Sequence, residues 1–155
     1  MKRMSVTAAM VMFFAVFCLL SIGQAAVQGT VKETANFKIL VPNGWEFSDF
    51  GNGKLQTYNK MGTFMVELSI GGDNMTEADV KSQVATFVKD NKGSGPDKVT
   101  MFGLSFDKTT YDKSSMHMSY YWALKNGKKI NISLLGPNHE TDATIQEVLK
   151  SIQIK

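Results

Sequence analysis

Cysteine is all but missing from this chain. The single thiol, Cys18, lies in an apolar stretch near the amino end, so removal of that stretch would leave none. Disulfides, thiolate catalysis and cysteine-ligated zinc or iron–sulfur centres are then excluded from the remainder. Histidine is nearly as scarce, with only His117 and His139. There is no Gly-x-Ser-x-Gly elbow, phosphate loop or dinucleotide fingerprint. Asp49-Phe50-Gly51 lacks the Gly-rich and catalytic loops of a kinase and reads as a turn. A charge excess is missing too. Of 17 basic and 14 acidic residues, Lys2 and Arg3 belong to the amino-terminal stretch, which leaves a net charge of +1. That balance and the lack of a basic stripe give a nucleic-acid partner no footing. Internal repeats, low-complexity tracts and domain linkers are also absent.

What is present begins with a leader. Lys2 and Arg3, the apolar run from Met10 to Ile22, and Gly23-Gln24-Ala25 have the three-part form of a secretory signal peptide spanning residues 1–25. The run falls short of the roughly 20 residues a membrane helix needs, so no stable span is expected. Cleavage after Ala25 would leave 130 residues in a periplasmic or secreted protein. That length suits one compact domain with its own core. Residues 26–36 are polar and read as a loose start; residues 37–155 form the domain.

The strongest local signal is Met116 to Leu135, two strands joined by Asn126-Gly127. Both residues tolerate the positive φ of a type I′ turn. A two-residue loop sets Lys125 opposite Lys128, Ala123 opposite Ile130, Tyr121 opposite Ile132 and Ser119 opposite Leu134. One face then carries Tyr121, Ala123, Ile130, Ile132 and Leu134. The other carries Met116, Met118, Tyr120, Trp122 and Leu124 beside Lys129, Asn131 and Ser133. Neither is a plain solvent face, so helices are expected on both.

Alternation predicts further strands at Phe37–Val41, Leu55–Tyr58, Thr63–Ile70, Val99–Phe102 and Leu104–Tyr111, with Trp45 and Phe47 following a turn. Ser94-Gly95-Pro96 reads as a connector. A helix begins near Thr76, capped with Asp79, and carries the stripe Val80, Val84, Phe87, Val88. Gly93 is placed for its left-handed end. A second helix over residues 141–152 presents Ile145, Val148, Leu149 and Ile152.

Candidate chemistry is sparse. Met116-His117-Met118 has soft ligands for copper, but a strand points the two methionines away from His117. His139-Glu140 lacks the second histidine of a zinc helix and reads as a surface loop entering the last helix. Glu67 is an isolated strand carboxylate. No catalytic residue, metal ligand or cofactor is assigned. The group with binding character is Tyr120, Trp122 and Asn131 with Ser133, aromatic faces beside polar groups.

Phe37-Lys-Ile-Leu-Val-Pro-Asn-Gly-Trp45 is similar to the opening of the PsbP/Mog-type superfamily. The same order continues with the strand ending at Ile70, a helix, the Gly103 turn, the Asn-Gly-Lys hairpin and the terminal Val148-Leu-Lys-Ser-Ile-Gln-Ile154. The resemblance implies an α+β fold, an antiparallel sheet flanked by helices on both faces as an α/β/α sandwich. It further implies a non-enzymatic accessory or binding protein contacting another envelope protein. The alternative is a periplasmic small-ligand or metal carrier using the Tyr120/Trp122 face or the Met116/Met118 pair.

Overall fold

The computed structural model describes residues 26–114 and 116–155; the leader and its proposed cleavage site lie outside the described residues. Ten strands and two helices follow in order: β1 (Gly29–Glu33), β2 (Phe37–Pro42), β3 (Trp45–Asp49), β4 (Lys54–Asn59), β5 (Met65–Gly71), α1 (Glu77–Asn91), β6 (Ser94–Met101), β7 (Leu104–Lys113), β8 (Met116–Lys125), β9 (Lys128–Leu135), α2 (Ala143–Ser151) and β10 (Gln153–Ile154). They form a seven-stranded sheet, β3-β4-β5-β9-β8-β7-β6, and a three-stranded one, β1-β2-β10. The pairings are antiparallel.

The Asn126-Gly127 hairpin forms as its sequence dictates. Both turn residues have positive φ, 52° and 71°, and Ser119, Tyr121, Ala123 and Lys125 meet the partners expected of them. β5 and β7 extend this hairpin on either side. On one face Tyr121, Ala123, Ile130, Ile132 and Leu134 pack with Phe37, Ile39 and Phe106 and with Ile145, Val148 and Leu149 of α2. Val80 and Val84 of α1 pack with Trp122, backed by Phe87, Tyr120 and Leu124.

Four details depart from the sequence reading. Residues 26–36 are not all loose, because β1 pairs along β2 from Gly29–Pro42 to Glu33–Lys38. Every residue of β1 is exposed, so it has no apolar alternation to read. Cover over the Tyr121 side comes not from a helix alone but from α2 together with β2 of the smaller sheet. Ser94-Gly95-Pro96 belongs to β6, where a shift in pairing between Ser94 and Asp97 accommodates it. Finally, Lys92 takes the left-handed helix end, at φ 52°. Gly93 instead lies so close to β7 that a Cβ would come within 2.7 Å of the Thr110 carbonyl oxygen. Its small size serves packing rather than capping.

Thr76 and Asp79 do form the reciprocal capping box. Among the described residues, no helix is long and apolar enough to cross a membrane.

Candidate functional site

Strand alternation puts His117 and Ser119 on the same side of β8 as Tyr121, facing α2. At the open end of the hairpin the chain leaves β9 through Gly136, whose N–H donates to the His117 carbonyl (3.2 Å). A Cβ at Gly136 would sit 2.3 Å from the Phe64 ring, at a φ of 152°. Only glycine fits there. The loop then closes on itself: the N–H groups of Thr141 and Asp142 both donate to the Asn138 carbonyl at 3.0 Å. The Asp142 carboxylate caps α2 by accepting from the Ile145 N–H (2.9 Å). This fold-back carries His139 inward.

His139 is fully buried, contrary to the surface position its polar neighbours imply. Three contacts replace water around it. Nδ1 lies 2.9 Å from the Gly136 carbonyl oxygen and Nε2 2.8 Å from Ser119 Oγ. The ring stacks on His117, with centroids 5.1 Å apart. Burial, the largest influence, pushes the His139 pKa down, aided by His117 and Lys108; the Gly136 bond works against that direction. The Gly136 carbonyl can only accept, so Nδ1 holds the proton of the neutral ring and Nε2 presents a lone pair.

Glu140 completes the cluster. Its Oε1 accepts from Ser119 Oγ (2.9 Å), forms an ion pair with Lys108, and stands 4.0 Å from His139 Nε2. The Lys108 ammonium is the main cause of its lowered pKa. The half-exposed His117 is tied at Nδ1 to Asp112 Oδ1 (2.7 Å). One ring nitrogen from each histidine and one oxygen of Glu140 fall within 4.8 Å of one another.

Ser119 Oγ lies within hydrogen-bond reach of both His139 Nε2 and Glu140 Oε1. Its one hydroxyl hydrogen can serve the imidazole while the Lys108 ammonium serves the carboxylate. Imidazole nitrogen and carboxylate oxygen thus converge on one point, a donor set that suits a cation. Each imidazole has its Nδ1 against an oxygen, Asp112 for His117 and Gly136 for His139, as metal-ligating imidazoles characteristically have on the nitrogen away from the metal.

The residues singled out from sequence lie elsewhere. Tyr120 packs among Phe87 (4.7 Å between ring centroids), Tyr111 (5.8 Å) and Trp122 (6.1 Å). Trp122 donates Nε1–H to Thr109 Oγ1 (3.2 Å) and borders a cavity of about 250 Å³ with Val80, Lys98, Asp107 and Leu124. Tyr120 and Asn131 do not line it. Asn131 is buried, donating to the Tyr121 carbonyl (3.2 Å) and accepting from Ser133 Oγ (3.0 Å). Met118 is buried and Met116 partly exposed. Glu67 pairs with Lys54 (3.0 Å) and accepts from the Gln56 side chain.

Sequence reasoning passed over Lys108, Ser119, His139 and Glu140 as a group. One signal was available: extending the hairpin register by one pair sets His117 opposite Gly136, three residues before His139.

No protein-family model matches the sequence, and no curated protein does. Solved structures do match. The solution structure of cyanobacterial PsbP (CyanoP) from Synechocystis sp. PCC 6803 superposes with a TM-score of 0.56 at 16% identity, covering 87% of this chain and 96% of that one. The fold is PsbP-like. A crystal structure from Bacteroides thetaiotaomicron VPI-5482 matches with a TM-score of 0.55 and 17% identity over 83% of this chain. This chain spans about half the length of that protein, 49%. At these identities the likeness shows a PsbP-like fold of antiparallel sheets and two helices, and the fold carries no activity with it.

Proposed function

We propose that this chain is an exported, non-enzymatic accessory or binding protein of the cell envelope. The ligand its geometry supports best is a divalent transition-metal ion held by His117, His139 and Glu140. The observation that carries this reading is the convergence of ligand atoms from His117, His139 and Glu140, all within 4.8 Å of one another. Two imidazoles and a carboxylate favour zinc-class ions over magnesium or calcium, which take oxygen ligands. The donors must draw together, since zinc–nitrogen bonds are about 2.1 Å. His117, half-exposed at the start of β8, moves toward the ion together with or away from its Asp112 partner.

The non-enzymatic part of the reading draws on two features. Ser119 beside His139 has the composition of a nucleophile and base, but Ser119 is fully buried. Glu67 is held in an ion pair with Lys54 and a hydrogen bond from the Gln56 side chain. The α/β/α sandwich reading of the fold is supported by Val80 and Val84 against Trp122 and by Ile145 and Val148 against the opposite face. It leaves the open hairpin end as the accessible chemical feature. A protein contact in the envelope remains the wider role, and crosslinking in intact cells that captures no partner would remove it.

Isothermal titration of zinc into residues 26–155 tests the metal. One ion per chain, lost in His139→Asn, is the expected result. Binding that survives that substitution would place the ion elsewhere.

A further inference from the structure

We propose that Lys108 is a built-in competitor for the metal, so that loading exchanges Glu140 Oε1 from the ammonium to the ion. The inference rests on the metal reading above and goes beyond it by naming what sets the affinity. The oxygen nearest His139 Nε2 is the very oxygen that Lys108 and Ser119 occupy. A carboxylate oxygen offers two lone pairs. An ammonium and a hydroxyl already on Oε1 screen the oxygen nearest Nε2 from an incoming ion, and the ammonium's charge repels a second cation on the same carboxylate. Loading therefore favours release of Lys108.

Lys108 is the group able to go. Ser119 is locked beneath the loop, fully buried between His139 and Glu140. Lys108 sits on β7 with its Nζ already 6.0 Å from the Tyr121 ring centroid, a contact that can hold the ammonium once Glu140 is given up. A cleft of about 260 Å³ bordered by Val99, Met101, Tyr121, Gln146 and Leu149 adjoins both Lys108 and Glu140 and gives the side chain room to swing. Lys108 and Glu140 form a closed ion pair, and metal loading frees the ammonium into that cleft.

The experiment is zinc titration of wild type, Lys108→Met, Glu140→Gln and the double variant, with circular dichroism to compare their folds. Removing the competitor should tighten zinc binding by about two- to fivefold, the scale expected for loss of one part-exposed ion pair. The gain should vanish when Glu140→Gln is also present, since the two residues act through one oxygen. A wild-type chain that binds zinc while Lys108→Met binds equally or more weakly overturns the exchange and leaves the metal site standing. No binding in either chain overturns both.

A second readout needs no variant of Lys108. Zinc should raise acylation of the Lys108 amine by an N-hydroxysuccinimide acetate, measured by peptide mass spectrometry, in wild type but not in His139→Asn. Unchanged or lowered acylation in a zinc-loaded wild type counts against the exchange.

Discussion

The two faces of β8 are built from the same kinds of side chain and behave differently. Toward α1, every buried polar group described above has its own partner: the Trp122 indole has Thr109, and the Asn131 amide has the Tyr121 carbonyl and Ser133. Donors and acceptors match one to one, and the result is packing. Toward α2, at the open end of the hairpin, His139 and Glu140 share Ser119, and Lys108 holds Glu140. Matched neutral groups rigidify a core, whereas imidazole and carboxylate donors brought to one point are also the groups that hold a metal ion. Aromatic packing distinguishes the first face; convergent ligand atoms distinguish the second.

The largest expected effect belongs to the packed face. Trp122→Ala should cost about 3–5 kcal/mol in urea unfolding, the range for large-to-small changes of buried aromatics. The same variant should leave zinc affinity unchanged under folding conditions. A Trp122 variant that loses zinc binding would erase the division between the faces. His139→Asn should do the reverse, abolishing zinc binding while costing only about 1–3 kcal/mol for the polar partners it leaves unpaired. Chemical denaturation beside calorimetry reads both numbers.

The smallest effect is one of pH. Burial above all raises the Tyr120 pKa from its ordinary 10.0, with the Tyr111 hydroxyl adding to it. A tyrosine whose folded pKa is raised binds its proton more tightly in the native state. Its contribution is therefore complete below about pH 10 and is lost as pH climbs above the unfolded value. Melting temperatures should fall between pH 9 and 11, values chosen to straddle the unfolded pKa of about 10, and fall less steeply in Tyr120→Phe. Equal slopes would show that Tyr120 is not held in the packed environment assigned to it.

Much of the fold could be read from the sequence because it rests on short-range rules. The hairpin register follows from Asn126-Gly127, α1 from Thr76 with Asp79 and the Val80–Val84 spacing, and α2 from Ile145, Val148 and Leu149. What escaped depends on distant partners. β1 has five exposed residues and exists because β2 offers it an edge. His139 and Glu140 look like a surface dipeptide until Gly136, pressed against Phe64, turns the loop inward. Lys108 meets Glu140 only through sheet pairing, since Lys108 lies opposite Tyr121 on β8. Local periodicity holds no trace of such a meeting.

The pairing of β2 with β10 has a kinetic side. It joins Lys38 to Gln153 and Phe37 to Ile154, closing a loop of most of the domain's length. Pairing of β5 with β9 spans a long interval as well, Met65 to Leu135, while β8–β9 is entirely local. Long-range closures slow folding, because chain entropy is lost before contacts compensate for it. The hairpin should therefore nucleate early and the small sheet close last. Until the chain end brings α2 and β10 onto β2, β1 and β2 are a two-stranded ribbon with Phe37 and Ile39 only partly covered, which is marginal in water. A chain that postpones closure in this way keeps its two ends apart until the rest of the domain has packed.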